Sequence, residues 1–177
     1  MAKTAATVRV ATADDAAAIA LVHVRSWQVA YRGQLPDEVL DNLSVEQRTR
    51  FWAEGWWSLD PTRRLLLVAE RDDAILGFVG VGPSRDDDAG AATGEVYAIY
   101  ADPDAWGQGV GRRLMQRALD ELRSAGFTDA TLWVLESNGR ARRFYEIGGW
   151  QTNGGRRTEQ LRDGGVDVVE VRFRRDL

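Results

Sequence analysis

Gly94-Glu95-Val96-Tyr97-Ala98-Ile99-Tyr100-Ala101-Asp102-Pro103-Asp104-Ala105-Trp106-Gly107-Gln108-Gly109-Val110-Gly111-Arg112-Arg113-Leu114 reads as a strand, a turn and the start of a helix. Tyr97, Ile99 and Tyr100 make a β-rich run that Asp102-Pro103-Asp104 stops, and Val110, Leu114, Ala118 and Leu122 then recur at helical spacing. Glycines at 107, 109 and 111 sit where loop becomes helix. There the backbone can approach a ligand, and the first helical N–H groups, which lack intrahelical acceptors, can face an anion at the positive end of the helix dipole. The stretch is either a phosphate cradle or a ligand-free turn. A dinucleotide fingerprint fails, because Arg112 or Leu114 falls where its last glycine belongs, and a Walker A loop lacks its Lys-Ser/Thr ending.

A chain of 177 residues with 44% apolar content suits one domain with a real core, expected to span 1–177. No 18-residue apolar run exists, and Met1 to Thr7 lacks a signal-peptide core, so a soluble cytoplasmic protein with no membrane partner is expected. Zero cysteines exclude disulfides, thiolate metal sites and a cysteine nucleophile, and the single His23 leaves little for a serine triad or a histidine metal site. Asp86-Asp87-Asp88 lacks further ligands at useful spacing and reads as a solvated turn, so no metal is expected. A net charge of −4 argues against nucleic-acid binding and mildly favours a cationic small substrate.

In chain order, Val8-Arg9-Val10 is a short strand, and Thr12 with Asp15 resembles a capping box for a helix whose apolar spacing, from Ala16 to Ala30, runs up to Gly33. His23 lies on that helix's apolar stripe, as a packed core residue or, given its near-neutral titration, a catalyst. Pro36 opens a helical piece through Leu43, and Ser44 caps another that ends in the cluster Phe51, Trp52, Trp56 and Trp57, which is core or an amine-binding wall. Arg63–Glu70 and Ala74–Val81 read as a hairpin, Thr131–Leu135 as a strand, and Gly139–Ile147 as a helix capped by Ser137 or Asn138. Arg156–Leu161 and Val166–Phe173 flank Asp163-Gly164-Gly165 as a last hairpin. The quoted strand, its helix and the Thr131 strand form a crossover unit, which favours parallel pairing there and antiparallel pairing elsewhere. The fold class expected is α/β (α+β), a mixed, mostly antiparallel sheet of about seven strands flanked by helices.

Trp106-Gly107-Gln108-Gly109-Val110-Gly111 resembles the pyrophosphate loop of the GCN5-related N-acetyltransferases, Gln/Arg-x-x-Gly-x-Gly/Ala, with Trp106 standing where that family prefers Gln or Arg. Downstream, Asn138-x-x-Ala141-x-x-x-Tyr145-Glu146-x-x-Gly149-Trp150 is similar to the family's Asn-x-x-Ala-x-x-x-Tyr-Glu-x-x-Gly-Phe. The first helix also resembles one large bacterial branch, so the likeness covers nearly the whole chain. It implies transfer of acetyl from acetyl-CoA to a primary amine of a small molecule or peptide, by direct attack in a ternary complex. Glu95 then matches a general base, directly or through water, and Tyr145 the proton donor to the departing thiolate. Ile99, Tyr100 and Ala101 match backbone contacts to the thioester and pantetheine arm, and Asn138 and Ala141 lie in the second motif that flanks that arm. Gly107, Gln108, Gly109, Val110, Gly111 and Arg112 would hold the pyrophosphate.

Trp27, Tyr31, Trp56 and Trp150 are candidate acceptor-pocket walls, and a homodimer through the last strands is compatible with the pattern. Two other classes stay open at this point: an acyl-CoA sensor without turnover, and a nucleotide-binding regulator.

Overall fold

The computed structural model describes residues 5–56, 64–161 and 164–177. Trp57, Arg63 and Asp163, each part of an expected element, lie outside them. In chain order the elements are β1 (Thr7–Val10), α1 (Ala16–Ala30), α2 (Asp37–Asp41), α3 (Val45–Arg50), β2 (Leu65–Arg71), β3 (Ala74–Pro83), β4 (Thr93–Ala101), α4 (Val110–Ser124), β5 (Asp129–Leu135), α5 (Gly139–Ile147), β6 (Gln151–Gln160) and β7 (Asp167–Asp176). A 3₁₀ turn, Ala13–Asp15, leads into α1, and a π turn, Phe51–Gly55, extends α3.

Local signals account for most boundaries. The Thr12 backbone N–H donates to the Asp15 carboxylate at 2.8 Å, and Ser44 Oγ accepts the Gln47 N–H at 3.2 Å. The β2–β3 hairpin turns on Asp72 and Asp73, both left-handed at φ 51° and 60°, the pair of positive angles that a two-residue turn between twisted strands requires. Helix α4 ends in a Schellman motif: Gly126, at φ 89°, donates to Arg123 O at 2.9 Å, and Phe127 donates to Leu122 O at 3.1 Å. The last hairpin is longer than its sequence suggests. Strand β6 begins at Gln151, because a register shift between Thr152 and Arg156 absorbs the glycines that read as loop.

Seven strands form one open sheet in the order β1-β2-β3-β4-β5-β7-β6. Every neighbouring pair is antiparallel except β4–β5, which is parallel as the crossover through α4 requires. Helices α4 and α5 cover one face, where Leu114, Ala118, Leu122 and Tyr145 pack with Leu67, Val79, Leu132 and Phe173. Helix α1 and the π turn cover the other, where Ile19, Trp52 and Trp56 pack on Leu66, Val68 and Phe78. No helix among the described residues is long and apolar enough to cross a membrane.

His23 is part of that second core. It stacks on Tyr100 at 4.9 Å between centroids, and Trp52 Nε1 donates to its Nδ1 at 3.3 Å, so the imidazole is held neutral with Nδ1 as acceptor. Burial, with the Arg48 charge adding to it, pushes its pKa down from 6.5 to about 3. Between those two values the unfolded chain binds a proton that the native chain refuses, so this residue makes stability fall as pH falls through that window. Its share of the slope approaches about 1.4 kcal/mol per pH unit. Denaturant unfolding from pH 7 to pH 4 is expected to show a shallower acid loss for His23→Leu than for the native protein.

Candidate active site

The site begins where two strands separate. β4 and β5 pair only from Thr93–Asp129 to Val96–Leu132. On the other edge of β4, Val96 faces Val81 while Ala98 faces Gly80, so Tyr97 is an extra residue that bends the strand away. From there β4 stays with β3, and β5 with β7. The wedge between them opens into a cavity of about 480 Å³. Its walls come from β4 (Val96–Ala101), β5 (Leu132–Leu135), the glycine loop, the start of α5 and one side of α1.

The glycine loop is fixed at its root. Asp102 accepts the Asp104 N–H at 2.9 Å, and Arg25 of α1 bridges Asp102 at 3.0 Å and Asp104 at 2.8 Å. Gly107 and Gly109 are left-handed at φ 74° and 80°, conformations costly for a side-chain-bearing residue. They deliver the chain to the α4 N-terminus, where the Arg113 N–H is the first to bond back, to Gly109 O at 3.1 Å, and those before it are free to meet an anion. Gly111 is different: its backbone is ordinary, and a Cβ there would lie 3.6 Å from the Phe144 ring.

Trp106 is anchored at its own position and offers a ring face that a Gln or Arg there would lack. Its Nε1 donates to Ala101 O at 2.8 Å, and the Arg140 guanidinium lies 3.4 Å over its indole ring. Arg140 stands in the first turn of α5, where the helix dipole opposes a cation, and burial pushes its pKa down. No carboxylate pairs with it among the described residues. Two helix N-termini and an unneutralised guanidinium therefore converge on one end of the cavity, an arrangement that calls for a polyanion. The sequence motifs missed Arg140, because its partner lies 34 positions away (140 − 106).

Most of the sequence-predicted residues meet here. Ile99, Tyr100, Ala101, Gly107, Gly109, Val110, Gly111, Arg112, Asn138, Ala141, Tyr145, Trp27 and Tyr31 all line the cavity. Asn138 also caps α5, its Oδ1 accepting the Ala141 N–H at 3.0 Å. Burial, with the nearby Tyr100 phenol, pushes the Tyr145 pKa up, so the hydroxyl keeps its proton throughout the working range.

Four predicted residues are not on the wall. Gln108 turns outward, donating to Asp104 O at 2.6 Å and accepting from Arg71 at 3.0 Å. Trp56 fills the space that Gly80 leaves open, since a Cβ there would approach its ring to 2.8 Å. Trp150 is buried beside Tyr145 and Phe173 in the opposite core. Glu95, only 2% exposed, is clasped by Arg85, whose backbone N–H donates to Oε2 at 2.8 Å and whose guanidinium meets Oε1 at 2.5 Å.

Two members of the acidic triplet are also spent internally. Asp86 accepts Trp133 Nε1 at 2.8 Å, and Arg172 forks onto Asp88 at 2.6 and 2.7 Å. Among the described residues no cluster is suited to hold a metal ion.

A parted parallel strand pair beside a glycine-led helix start, with a protonated tyrosine on the same cavity, suits an acyltransferase. The chain belongs to the acetyltransferase (GNAT) family, whose family model matches residues 24–149. It is 32% identical over 132 residues to the uncharacterized N-acetyltransferase YuaI of Bacillus subtilis (strain 168), covering 75% of this chain and 73% of that one. It is 39% identical over 111 residues to a mycothiol acetyltransferase of Beutenbergia cavernae, covering 63% of this chain but 33% of that longer protein. The PaiA N-acetyltransferase of Thermoplasma acidophilum, solved with coenzyme A, superposes with a TM-score of 0.71 at 20% identity over 98% of this chain and 100% of that one.

Removing Arg85 would strand the buried Glu95 carboxylate with little but one backbone donor. Arg85→Ala is expected to cost about 2 kcal/mol in denaturant unfolding at pH 7. Glu95→Gln in the same background should recover most of that loss, the signature of direct coupling in a double-mutant cycle.

Proposed function

We propose that this protein transfers the acetyl group of acetyl-CoA to a primary amine of a small molecule or peptide, by direct attack within a ternary complex. The observation that carries this reading is the single cavity that joins an anion-seeking loop, the free edge of β4 and the Tyr145 hydroxyl. The absence of cysteine from the chain further favours direct attack over a thiol-borne acyl intermediate.

The residues fit the cofactor by charge and shape. Backbone N–H groups of Val110, Gly111 and Arg112 bind the pyrophosphate, and Arg140, held flat on Trp106, adds the cation that position 106 lacks. Ile99 to Ala101 present strand-edge backbone groups to the pantetheine arm and thioester, while Asn138 and Ala141 border the arm from α5. When bound, acetyl-CoA supplies an activated thioester. Tyr145 Oη holds the proton that the leaving sulfur requires, and its raised pKa keeps it protonated; because a thiolate is the weaker base, transfer depends on the site positioning the sulfur and supporting the phenolate that forms. Glu95 takes the amine proton through water, since its carboxylate lies behind the wall and under Arg85.

Acetyl-CoA is expected to raise the melting temperature, and at a hundredfold excess over Kd its contribution is about 2.7 kcal/mol. Arg140→Ala should weaken acetyl-CoA binding about tenfold in calorimetry, in line with the loss of one charge-assisted contact; unchanged affinity would remove Arg140 from the cofactor site. Tyr145→Phe should lower kcat by about a hundredfold while leaving acetyl-CoA affinity alone. An undiminished rate would reassign the proton donor.

A further inference from the structure

Glu170 of β7 is the one carboxylate on the cavity wall, and neither the sequence motifs nor the mechanism above uses it. Its register partners are Leu135 on β5 and Arg157 on β6, and Leu135 packs with Val24 and Tyr31 on the α1 side of the sheet, the face opposite the one that α4 covers. Arg157 holds it from one side only: Nε and Nη2 both reach Oε2, each at 2.8 Å. Oε1 has no partner among the described residues. Arg157 is itself pinned, with its guanidinium 4.2 Å from the centroid of the Trp133 ring.

The surroundings of Oε1 are aromatic and phenolic. Trp27, Tyr31 and Tyr100 line the same side, with Trp27 and Tyr31 edge to face at 5.0 Å. Burial is the largest cause of the raised pKa of both tyrosines; Glu170 adds to it in each, though at Tyr100 the Arg48 charge, acting the other way, is the stronger of the two. Trp27 Nε1 is buried and makes no well-formed hydrogen bond among the described residues, the Tyr100 phenol being the group close enough to feel it. The two arginines on the cavity wall, Arg112 and Arg140, both belong to the glycine-loop end. Arg48 of α3 lies 5.8 Å over the Trp27 ring, outside the lining residues.

We propose that this side selects a cationic acceptor amine that bears no acidic group, receiving its positive charge at Glu170 Oε1 against the Trp27, Tyr31 and Tyr100 rings. A positive charge there meets a carboxylate oxygen and aromatic faces, and stands farther from Arg157 than Oε2 does. An acceptor carrying a carboxylate would meet Glu170 with a like charge and find no lysine or arginine among the described lining residues on this side, so discrimination works by repulsion as well as attraction. The proposal rests on the acetyltransferase reading above and narrows its acceptor.

The test uses the full-length protein and amines that differ in one group: 1,4-diaminobutane and butylamine against 4-aminobutanoate, and 2-phenylethylamine against phenylalanine. Binding by calorimetry to the protein without cofactor, and acetylation measured as thiol release, give separate readouts. In the native protein the amine without a carboxylate should bind at least tenfold more tightly than its acidic counterpart in each pair. Glu170→Gln, which keeps the shape, should collapse that preference to within about threefold while leaving acetyl-CoA affinity unchanged, and Glu170→Asp should retain most of it. Equal binding of the acidic and non-acidic members, no binding of any cationic amine, or an intact preference in Glu170→Gln would overturn the proposal. Failure of acetyl-CoA to bind would instead strike the acetyltransferase reading, while the cofactor-free calorimetry still decides the role of Glu170.

Discussion

The parting of β4 from β5 after Val96 and Leu132 is the constraint on which the rest of the site depends. A parallel pair that ran its full length would satisfy its own backbone groups and leave no room between the strands. One extra residue, Tyr97, turns β4 away, and the ladder partner that β4 loses on that edge is replaced by cavity. Close packing at the root of the wedge keeps the bend in place. Gly77 lies so near β4 and α4 that a Cβ would come within 2.8 Å of Tyr100 O and 2.9 Å of Leu114, and Gly94 leaves similar room for Leu122.

Charge is distributed along the cavity in a way that follows from this geometry. On one side the α4 N-terminus, the α5 N-terminus and Arg140 gather positive potential, and no carboxylate among the described residues pairs with Arg140. On the other side Glu170 and three aromatic rings face the same space. Tyr145 lines the same cavity, and its surroundings keep the phenol neutral.

Ion pairs elsewhere serve to hold these parts in position. Arg25 ties α1 to the root of the glycine loop, and Arg85 ties the β3–β4 loop to β4 through Glu95. Arg172 ties β7 to Asp86 and Asp88 of that loop. Glu95 is the instructive case. Its place in the strand follows from the chain, but the availability of its carboxylate depends on a loop residue ten positions earlier (95 − 85).

What the sequence determined by itself was everything set by near neighbours. The helical spacing of Val110, Leu114, Ala118 and Leu122, the caps at Asp15, Ser44 and Asn138, and the left-handed glycines at 107 and 109 are local facts, and each element lies where they point. The parallel crossover was legible too, because the connection through α4 leaves few alternatives. Tertiary structure alone decided what depends on residues distant in the chain. Trp27 and Tyr31 reached the cavity while Trp56 and Trp150 went to opposite cores, although a tryptophan at any of these positions reads alike in sequence. Arg140 found Trp106, and Glu170 acquired its half-occupied carboxylate, only through strand register and helix placement. Periodicity records which way a side chain points along its own element; which partner waits there is fixed by packing between elements, and no local pattern encodes it.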